Sequence, residues 1–348
     1  MTCQASTSTA SLQQQALLKP STRRGRPFEA PGSSACSPCP RPASTPPVKK
    51  AFKGCCAALA GRGRVLVMAL STTVTVTGAG GRTGKLIMQK LLAQPDTFTA
   101  RGVVRDEKGK QKLQAEGVPA EQIFAGDIVE SKEVLERSLQ GADALVIATS
   151  GVPQIKPLSL IGVFWKKLLR QESARPDFTF KKGQYPEQID WLGQKAQIDA
   201  AKEAGVKKVV LISSMGGTDE NNPLNKLGDG NILIWKRKAE EYLIDSKAFT
   251  YTIIHPGGLI DEEGGVRELV LGVDDELLKR PKRSIPRADV AELAVQSLTV
   301  SKAANRSIDA ISKDPSDGKP TRDFSALFGD LKGNCKYGPG SVKSAAKR

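Results

Sequence analysis

The chain has 348 residues, a length that fits one large domain or two smaller ones. It carries 52 Lys and Arg against 37 Asp and Glu, a formal net charge of +15, and only 5% of its residues are aromatic. The basic excess lies at the two chain ends rather than on one stretch of the body, which argues against a nucleic-acid-binding face. Apolar runs are too short to cross a bilayer, so we expect no integral membrane segment.

Residues 1–70 differ in composition from the rest of the chain. They contain ten Lys or Arg and a single acid, Glu29, among many Ser, Thr, Ala and Pro. Such Arg- and Ser-rich, acid-poor N-termini are typical of organelle transit peptides, so we predict a disordered presequence over residues 1–70. The segment "VLVMA", ending at Ala69, is similar to the cleavage context of algal chloroplast presequences, which predicts a cut near Ala69 and a chloroplast location, the stroma. The alternative is a basic disordered tail that stays attached.

Removing the predicted presequence changes both the charge and the cysteine content. The net charge falls to +6, and five of the remaining positive charges lie in residues 332–348, which we predict to be a basic flexible tail. Residues 71–331 then form the predicted domain. Cys335 is the one cysteine beyond the presequence. The Cys36-x-x-Cys39 pair lacks a second pair, so we predict neither a disulfide framework nor a metal site.

From Thr72 onward, short apolar runs alternate with helical patterns. The predicted helices are the segment after Gly84, with Ile87, Met88, Leu91 and Leu92 on one face, and residues 131–140, 187–205, 232–246 and 287–298. The predicted strands are residues 73–78, 99–105, 121–128, 143–150, 207–217, 250–259 and 306–312. Residues 151–186 form a long connection. This alternation predicts an α/β fold in one domain, a doubly wound parallel sheet of the Rossmann type.

A glycine-rich turn, "GAGGRTG", links the first predicted strand to the first helix. Gly78, Gly81 and Gly84 keep the spacing that permits a tight turn, close approach of a pyrophosphate and close packing of helix on strand. The free N–H groups at the start of the helix favour negative charge. We therefore predict that this turn, including Gly80 and Thr83, binds a dinucleotide.

The residue after the second predicted strand indicates which dinucleotide is bound. NAD sites usually carry an acid at this position, whereas this chain has Arg105, followed by Asp106. Arg82 lies in the glycine turn itself. Two guanidinium groups suit the 2′-phosphate of NADP, so we predict NADP as the cofactor. The alternative for either arginine is a solvated loop charge.

Six short motifs in a fixed order resemble one known family. They are the glycine turn, "AGDI", "ATS", "SSMGG", "KRKAE" and "HPGG". Together they resemble the atypical short-chain dehydrogenase/reductase family, and in particular its plant and algal NAD(P)-binding Rossmann proteins, over about residues 72–330. The resemblance implies that Asp127 and Ile128 lie by the adenine and that Ala148, Thr149 and Ser150 line the cofactor. It also implies that Ser214, Lys236, Pro256 and Gly257 lie on the nicotinamide side, with Ser214 and Lys236 as the catalytic candidates.

One departure from that family pattern affects the expected activity. Catalytic members carry a Tyr four residues before the Lys, where this chain has Ile232, which cannot transfer a proton. Tyr185 and His255 are alternative proton donors, but the sequence favours packing under the loop for Tyr185 and a local hydrogen-bonding role for His255. Two functions follow: an NADPH-dependent reductase of a small or redox-active acceptor, or a non-catalytic NADP-binding protein that senses redox state. The sequence does not indicate an oligomeric state.

Overall fold

The computed structural model describes residues 71–157, 159 and 176–337. These residues belong to one compact unit. The predicted presequence and residues 338–348 of the predicted tail lie outside the described residues.

Within the described residues, the central sheet has eight strands. They are β1 Thr72–Thr77, β2 Phe98–Val104, β3 Ile123–Ala125, β4 Ala144–Ile147, β7 Lys208–Ile212, β8 Thr250–Pro256, β10 Leu269–Gly272 and β12 Arg306–Ser312. Their order across the sheet is β10-β12-β8-β7-β4-β1-β2-β3. All neighbouring strands are parallel except β10 and β12, which are antiparallel. Two small pairs add β5 Gln154–Ile155 with β6 Phe178–Thr179, and β9 Gly258–Ile260 with β11 Ser284–Pro286. The predicted doubly wound parallel sheet is confirmed.

Helices cover both faces of the sheet. They are α1 Arg82–Leu92, α2 Glu107–Ala115, α3 Lys132–Leu139, α4 Gln194–Glu203, α5 Ile232–Asp245, α6 Arg287–Thr299 and α7 Phe324–Asp330. A π-helical segment, Glu187–Gly193, leads into α4. Short 3-10 segments lie at Ala120–Gln122, Pro223–Asp229, Glu276–Lys279 and Ser301–Ala303.

Alternation along the strands builds the two larger hydrophobic clusters of the described residues. Val74 and Val76 of β1 pack with α1 and α6 in one core, because successive side chains of a strand point to opposite faces. Leu145 and Ile147 of β4 pack with α3, α4 and α5 in the other. The buried polar side chains of β1 face this second core, where Thr75 Oγ1 donates to the Ser138 carbonyl at 2.7 Å.

The structure departs from the sequence prediction where the chain leaves the main sheet. The strand predicted over residues 250–259 divides after Pro256, because the Gly258 N–H donates to the Arg283 carbonyl at 2.8 Å and pairs β9 with β11. A Cβ on Gly257 would lie 2.1 Å from the same carbonyl oxygen, so the close approach requires glycine. The strand predicted over residues 121–128 is reduced to β3, since a 3-10 turn precedes it.

Residues 332–337, predicted as the start of a flexible tail, attach to β12 and α5. The Cys335 N–H donates to the Ser307 carbonyl at 3.1 Å. Arg237 Nη2 donates to the Lys336 carbonyl at 2.6 Å, and the Arg237 guanidinium lies 3.9 Å from the centre of the Tyr337 ring. The sequence analysis missed these contacts because they join residues about 30 and 100 positions apart.

A buried charged cluster lies beneath this segment. Glu240 Oε2 lies 3.1 Å from His255 Nε2, and Asp309 Oδ1 lies 3.1 Å from His255 Nδ1. Burial raises the pKa of Glu240, but His255, Arg237 and Ser213 outweigh it and bring the pKa from 4.5 to about 2. Burial lowers the pKa of His255, whereas the two carboxylates and Cys335 raise it, to a net position well above 6.5. The cluster therefore pairs a negatively charged Glu240 with the positively charged His255 and Arg237.

Glu240→Gln should lower the free energy of unfolding by about 3 kcal/mol at pH 7, because it leaves the buried His255 and Arg237 undercompensated. The pKa of Glu240 is lower in the folded chain, so its contribution is complete above pH 4.5 and disappears as the pH falls towards 2. Urea unfolding should give a larger difference from native protein at pH 5 than at pH 7, because the raised pKa of His255 depends on Glu240 and the unfolded histidine becomes protonated in this interval. The difference at pH 3.5 should be smaller than that at pH 5, because the Glu240 carboxyl of the unfolded chain is then largely protonated. Glu133→Gln, an exposed control, should stay within about 0.5 kcal/mol of native. A constant difference at all three values would contradict the assignment.

Candidate functional site

The glycine turn brings three pieces of backbone into contact. Gly78 has a φ of +69°, and a Cβ on it would lie 2.7 Å from the Ala148 carbonyl oxygen at the end of β4. A Cβ on Gly84 would lie 2.2 Å from the Gly78 carbonyl oxygen. These contacts leave no room for a methyl group, so the two glycines set how closely α1 approaches β1 and β4.

The N-terminus of α1 presents uncapped N–H groups at this turn. Its N-cap residue is Gly81, which has no side chain to accept their hydrogen bonds. The Gly81 N–H itself donates to the Gly78 carbonyl at 2.8 Å, which closes the turn. The first turn of a helix leaves N–H groups without intrahelical partners, and such groups favour a bound anion.

A cavity of about 520 Å³, here called the turn cavity, opens over this turn at the carboxyl edge of the parallel strands. Ten of the predicted cofactor-binding residues line it: Gly78, Gly80, Gly81, Arg82, Thr83, Arg105, Ile128, Ala148, Thr149 and Ser150. Sequence analysis missed other lining residues, among them Asp106, Gly151, Leu259 and Arg287. The volume lies within the range of small-molecule and cofactor sites.

Asp127 was expected beside the adenine, but it does not line the turn cavity. Its Oδ1 accepts a hydrogen bond from the Val129 N–H at 2.8 Å, which makes it the first residue of a local turn. Gly126 and Ile128, on either side of it, line the cavity instead. The placement of Asp127 by the adenine stays a prediction.

Arg82 and Arg105 both line the turn cavity, but they have different surroundings. Arg82 Nη1 lies 3.1 Å from Asp261 Oδ2, and Asp261 also contacts Arg287. Arg105 is exposed and has no ion pair or hydrogen bond within the described residues. That both arginines meet one phosphate stays a prediction.

The end of β4 is held by side chains of the π-helical segment and α4. Gln194 Nε2 donates to the Thr149 carbonyl at 3.1 Å, and Gln197 Nε2 donates to Thr149 Oγ1 at 3.3 Å. Asp190 Oδ2 accepts from the Gly151 N–H at 2.8 Å. The sequence pattern predicts a regular helix over this segment, and it does not indicate that Asp190, Gln194 and Gln197 contact the end of β4. Functional sites often contain such π-helical turns.

Lys236 is paired with Asp190 in a fully buried contact. Its Nζ lies 2.7 Å from Asp190 Oδ1, and both side chains are almost completely buried. Lys236 lines neither the turn cavity nor the second cavity described next. Asp190 therefore links Lys236 on α5 to Gly151 in the wall of the turn cavity.

Ser214, Pro256 and Gly257 line a second cavity of about 450 Å³, here called the Ser214 cavity. Met215, Leu224 and Leu278 contribute apolar surface to it. Gly258 lines this cavity, while the next residue, Leu259, lines the turn cavity. Consecutive residues of β9 therefore line the two cavities.

Neither alternative proton donor lines these cavities. Tyr185 is exposed, and its ring centre lies 5.7 Å from that of Phe180. His255 is buried between Glu240 and Asp309, 3.1 Å from an oxygen of each. His255, Asp309 and Cys335 each have one atom that could bind a metal ion, and these three atoms lie within 4.8 Å of one another. The sequence did not indicate this grouping. Hydrogen bonds within the cluster account for all three side chains.

The sheet, the glycine turn and the turn cavity define a Rossmann-type dinucleotide-binding protein. The chain matches the sequence pattern of the NAD(P)H-binding family over residues 78–300, and it belongs to that family. Within the described residues, no helix is both long enough and apolar enough to cross a membrane.

Two relatives and one solved structure are similar to the chain over about three quarters of its length. The chain is 51% identical over 256 residues to an uncharacterised chloroplastic protein of Arabidopsis thaliana, covering 74% of this chain and 74% of that protein. It is 47% identical over 267 residues to sanguinarine reductase of Eschscholzia californica, covering 74% of this chain and 96% of that protein. A solved structure from Bacillus halodurans, of the NAD-dependent epimerase/dehydratase type, shares the fold with a TM-score of 0.56 at 20% identity, covering 75% of this chain and 100% of that one.

Asp190→Asn should lower the free energy of unfolding by about 3 to 5 kcal/mol, because it leaves the buried Lys236 ammonium without a counter-charge. The asparagine oxygen can still accept the Gly151 N–H, so the change isolates the ion pair. Adding Lys236→Met removes the unpaired charge and should restore much of the loss. Urea unfolding of the single and double variants measures both effects. A stable Asp190→Asn variant, or a double variant less stable than the single one, would contradict this account.

Proposed function

We propose that the protein is an NADPH-dependent reductase of a small or redox-active acceptor. The observation that carries the proposal is the turn cavity, where backbone without Cβ atoms, the N-terminus of α1 and the exposed Arg105 line one space. These features fit a dinucleotide, because they provide close backbone approach and positive charge for its phosphates. The nicotinamide, when bound, would supply a hydride.

The proposed preference for NADP depends on the end of β2. Arg105 presents a guanidinium with no competing carboxylate partner in the described residues. Asp106, the nearest acid in sequence, uses Oδ1 to accept the Gly109 N–H at 2.7 Å and so caps α2. An acid engaged in capping competes less for ribose hydroxyls, and the neighbouring guanidinium matches a 2′-phosphate.

The Ser214 cavity is the proposed acceptor site. Gly258 lines it and the next residue, Leu259, lines the turn cavity, and its apolar residues suit a flat, conjugated molecule. Ser214 offers a hydroxyl to orient an acceptor oxygen, while Lys236 on α5 is held in an ion pair with Asp190. The relative named sanguinarine reductase supports a reductase activity of this general kind.

The position that holds the catalytic tyrosine in other members of the resembling family is occupied by Ile232 in this chain. Ile232 begins α5 and is half-buried. It has no group that can give a proton, so the proposed chemistry is hydride transfer to a quinone, flavin or other conjugated acceptor, which can take its proton from water. A purely NADP-binding, redox-sensing protein is the second candidate, favoured by the same missing donor.

We place the mature protein in the chloroplast, in the stroma. The composition of residues 1–70 supports an organelle address, and the Arabidopsis thaliana relative is named as chloroplastic.

Arg105→Ala should weaken NADPH binding by about 10- to 100-fold while leaving NADH affinity nearly unchanged, because it removes charge-assisted hydrogen bonds that only the 2′-phosphate can make. Calorimetric titration of native and variant protein with both dinucleotides measures the difference. Lys108→Ala, which removes another exposed cation three residues along the chain, serves as the control. Equal losses for NADPH and NADH would refute the role given to Arg105.

Native protein should oxidise NADPH with quinones or flavins in an absorbance assay, and Ile232→Tyr should add activity towards simple carbonyl compounds. A positioned acid typically contributes about 100- to 10,000-fold in rate, so a gain should be measurable. Ile232→Phe has the same bulk without the hydroxyl and should show no gain. If native protein binds NADPH tightly yet oxidises it with no acceptor, the binding-protein alternative replaces the reductase.

A further inference from the structure

One carboxylate bridges two arginines in the wall of the turn cavity. Asp261, which follows β9, has Oδ2 3.1 Å from Arg82 Nη1 and Oδ1 2.5 Å from Arg287 Nη1. Arg82 is the first residue of α1, and Arg287 is the first residue of α6. Both arginines line the cavity, whereas Asp261 does not. The bridge therefore connects the two helix N-termini beside the glycine turn.

The three side chains differ sharply in burial. The Arg287 side chain is 9% exposed, while those of Arg82 and Asp261 are 68% and 63% exposed. A guanidinium has five N–H donors, and the contact with Asp261 is the only hydrogen bond of the Arg287 side chain within the described residues. Arg287 is thus a buried cation that lines a cavity and retains unused donors.

Asp261 is a replaceable partner for these two arginines. Ion pairs that involve such exposed side chains contribute little to stability, because water and salt screen them. Guanidinium groups recognise carboxylates and phosphates through the same fork of N–H donors. A phosphate entering the turn cavity can therefore take the place of the carboxylate without leaving Arg287 unpaired.

The location of the bridge indicates which phosphate of a dinucleotide the two arginines would bind. Arg82 belongs to the glycine turn at the N-terminus of α1, where Rossmann proteins hold the pyrophosphate. The 2′-phosphate is read at the end of β2, where Arg105 lies. The pyrophosphate is common to NADPH and NADH, so its recognition does not depend on the 2′-phosphate.

We propose that Arg287 and Arg82 bind the pyrophosphate of the dinucleotide and that Asp261 is a tethered competitor which occupies both arginines until the cofactor displaces it. This inference rests on the proposed dinucleotide binding. It assigns a binding role to Arg287, whose guanidinium strengthens dinucleotide binding. Asp261 weakens binding, because only molecules in which the bridge is open can bind the pyrophosphate with both arginines.

The test is a fluorescence or calorimetric titration of NADPH and NADH into native protein, Asp261→Asn, Arg287→Ala and the double variant. Asp261→Asn should bind both dinucleotides about three- to tenfold more tightly, by the same factor for each. Arg287→Ala should bind both about 10- to 100-fold more weakly. Glu263→Gln removes an exposed acid from the same loop and should change neither affinity by more than about twofold.

The double variant separates a binding role from damage to the fold. If Asp261 acts through Arg287, the gain from Asp261→Asn should shrink when Arg287 is already alanine, whereas independent effects would add. Unchanged or weaker binding by Asp261→Asn would overturn the proposal, as would a gain confined to NADPH. If native protein and Asp261→Asn both bind neither dinucleotide, the proposed function itself fails, which is a different result from native binding that Asp261→Asn does not improve.

Discussion

The close approach of Gly78 to Ala148 and of Gly84 to Gly78 is the constraint on which the site depends. A side chain at either glycine would meet backbone atoms at 2.7 Å or less, so no relaxation of a flexible neighbour relieves the overlap. Because α1 can come this near to β1 and β4, its uncapped N-terminus lies in the wall of the turn cavity and close to the strand ends. The anion-binding capacity of the site is thus a consequence of backbone packing, and the side chains modify it.

Charged side chains connect that wall to more distant parts of the fold. Asp190 contacts the Gly151 N–H on one side and Lys236 on the other, and it does so without exposure to solvent. Farther along α5, Glu240 contacts His255 on β8, and Arg237 contacts the segment that ends at residue 337. One helix therefore carries two buried charge clusters, so its position relative to the sheet is strongly specified. The Ser214 cavity lies beside the end of β8, which this helix helps to hold.

Local patterns in the sequence predicted the elements that depend on neighbouring residues. The glycine turn, β1, β12 and α6 follow from periodicity and spacing over fewer than twenty residues, and ten of the predicted cofactor residues line one cavity. The contacts that escaped prediction join distant residues: Asp261 meets Arg82 across 179 positions, and Tyr337 lies near Glu240 across 97. No periodicity encodes such pairs. Asp190 was missed because its significance depends on a π-helical turn that orients it towards Lys236 and Gly151.

The central claim is that the uncapped N-terminus of α1 and the glycine turn hold the phosphates of a dinucleotide. A crystal structure of the protein with NADP⁺ tests it most directly. The account predicts pyrophosphate oxygens within hydrogen-bond distance of the backbone N–H groups of Arg82 and Thr83, with the adenosine 2′-phosphate beside Arg105. A dinucleotide bound elsewhere, or bound in the turn cavity with its pyrophosphate away from α1, would contradict the account.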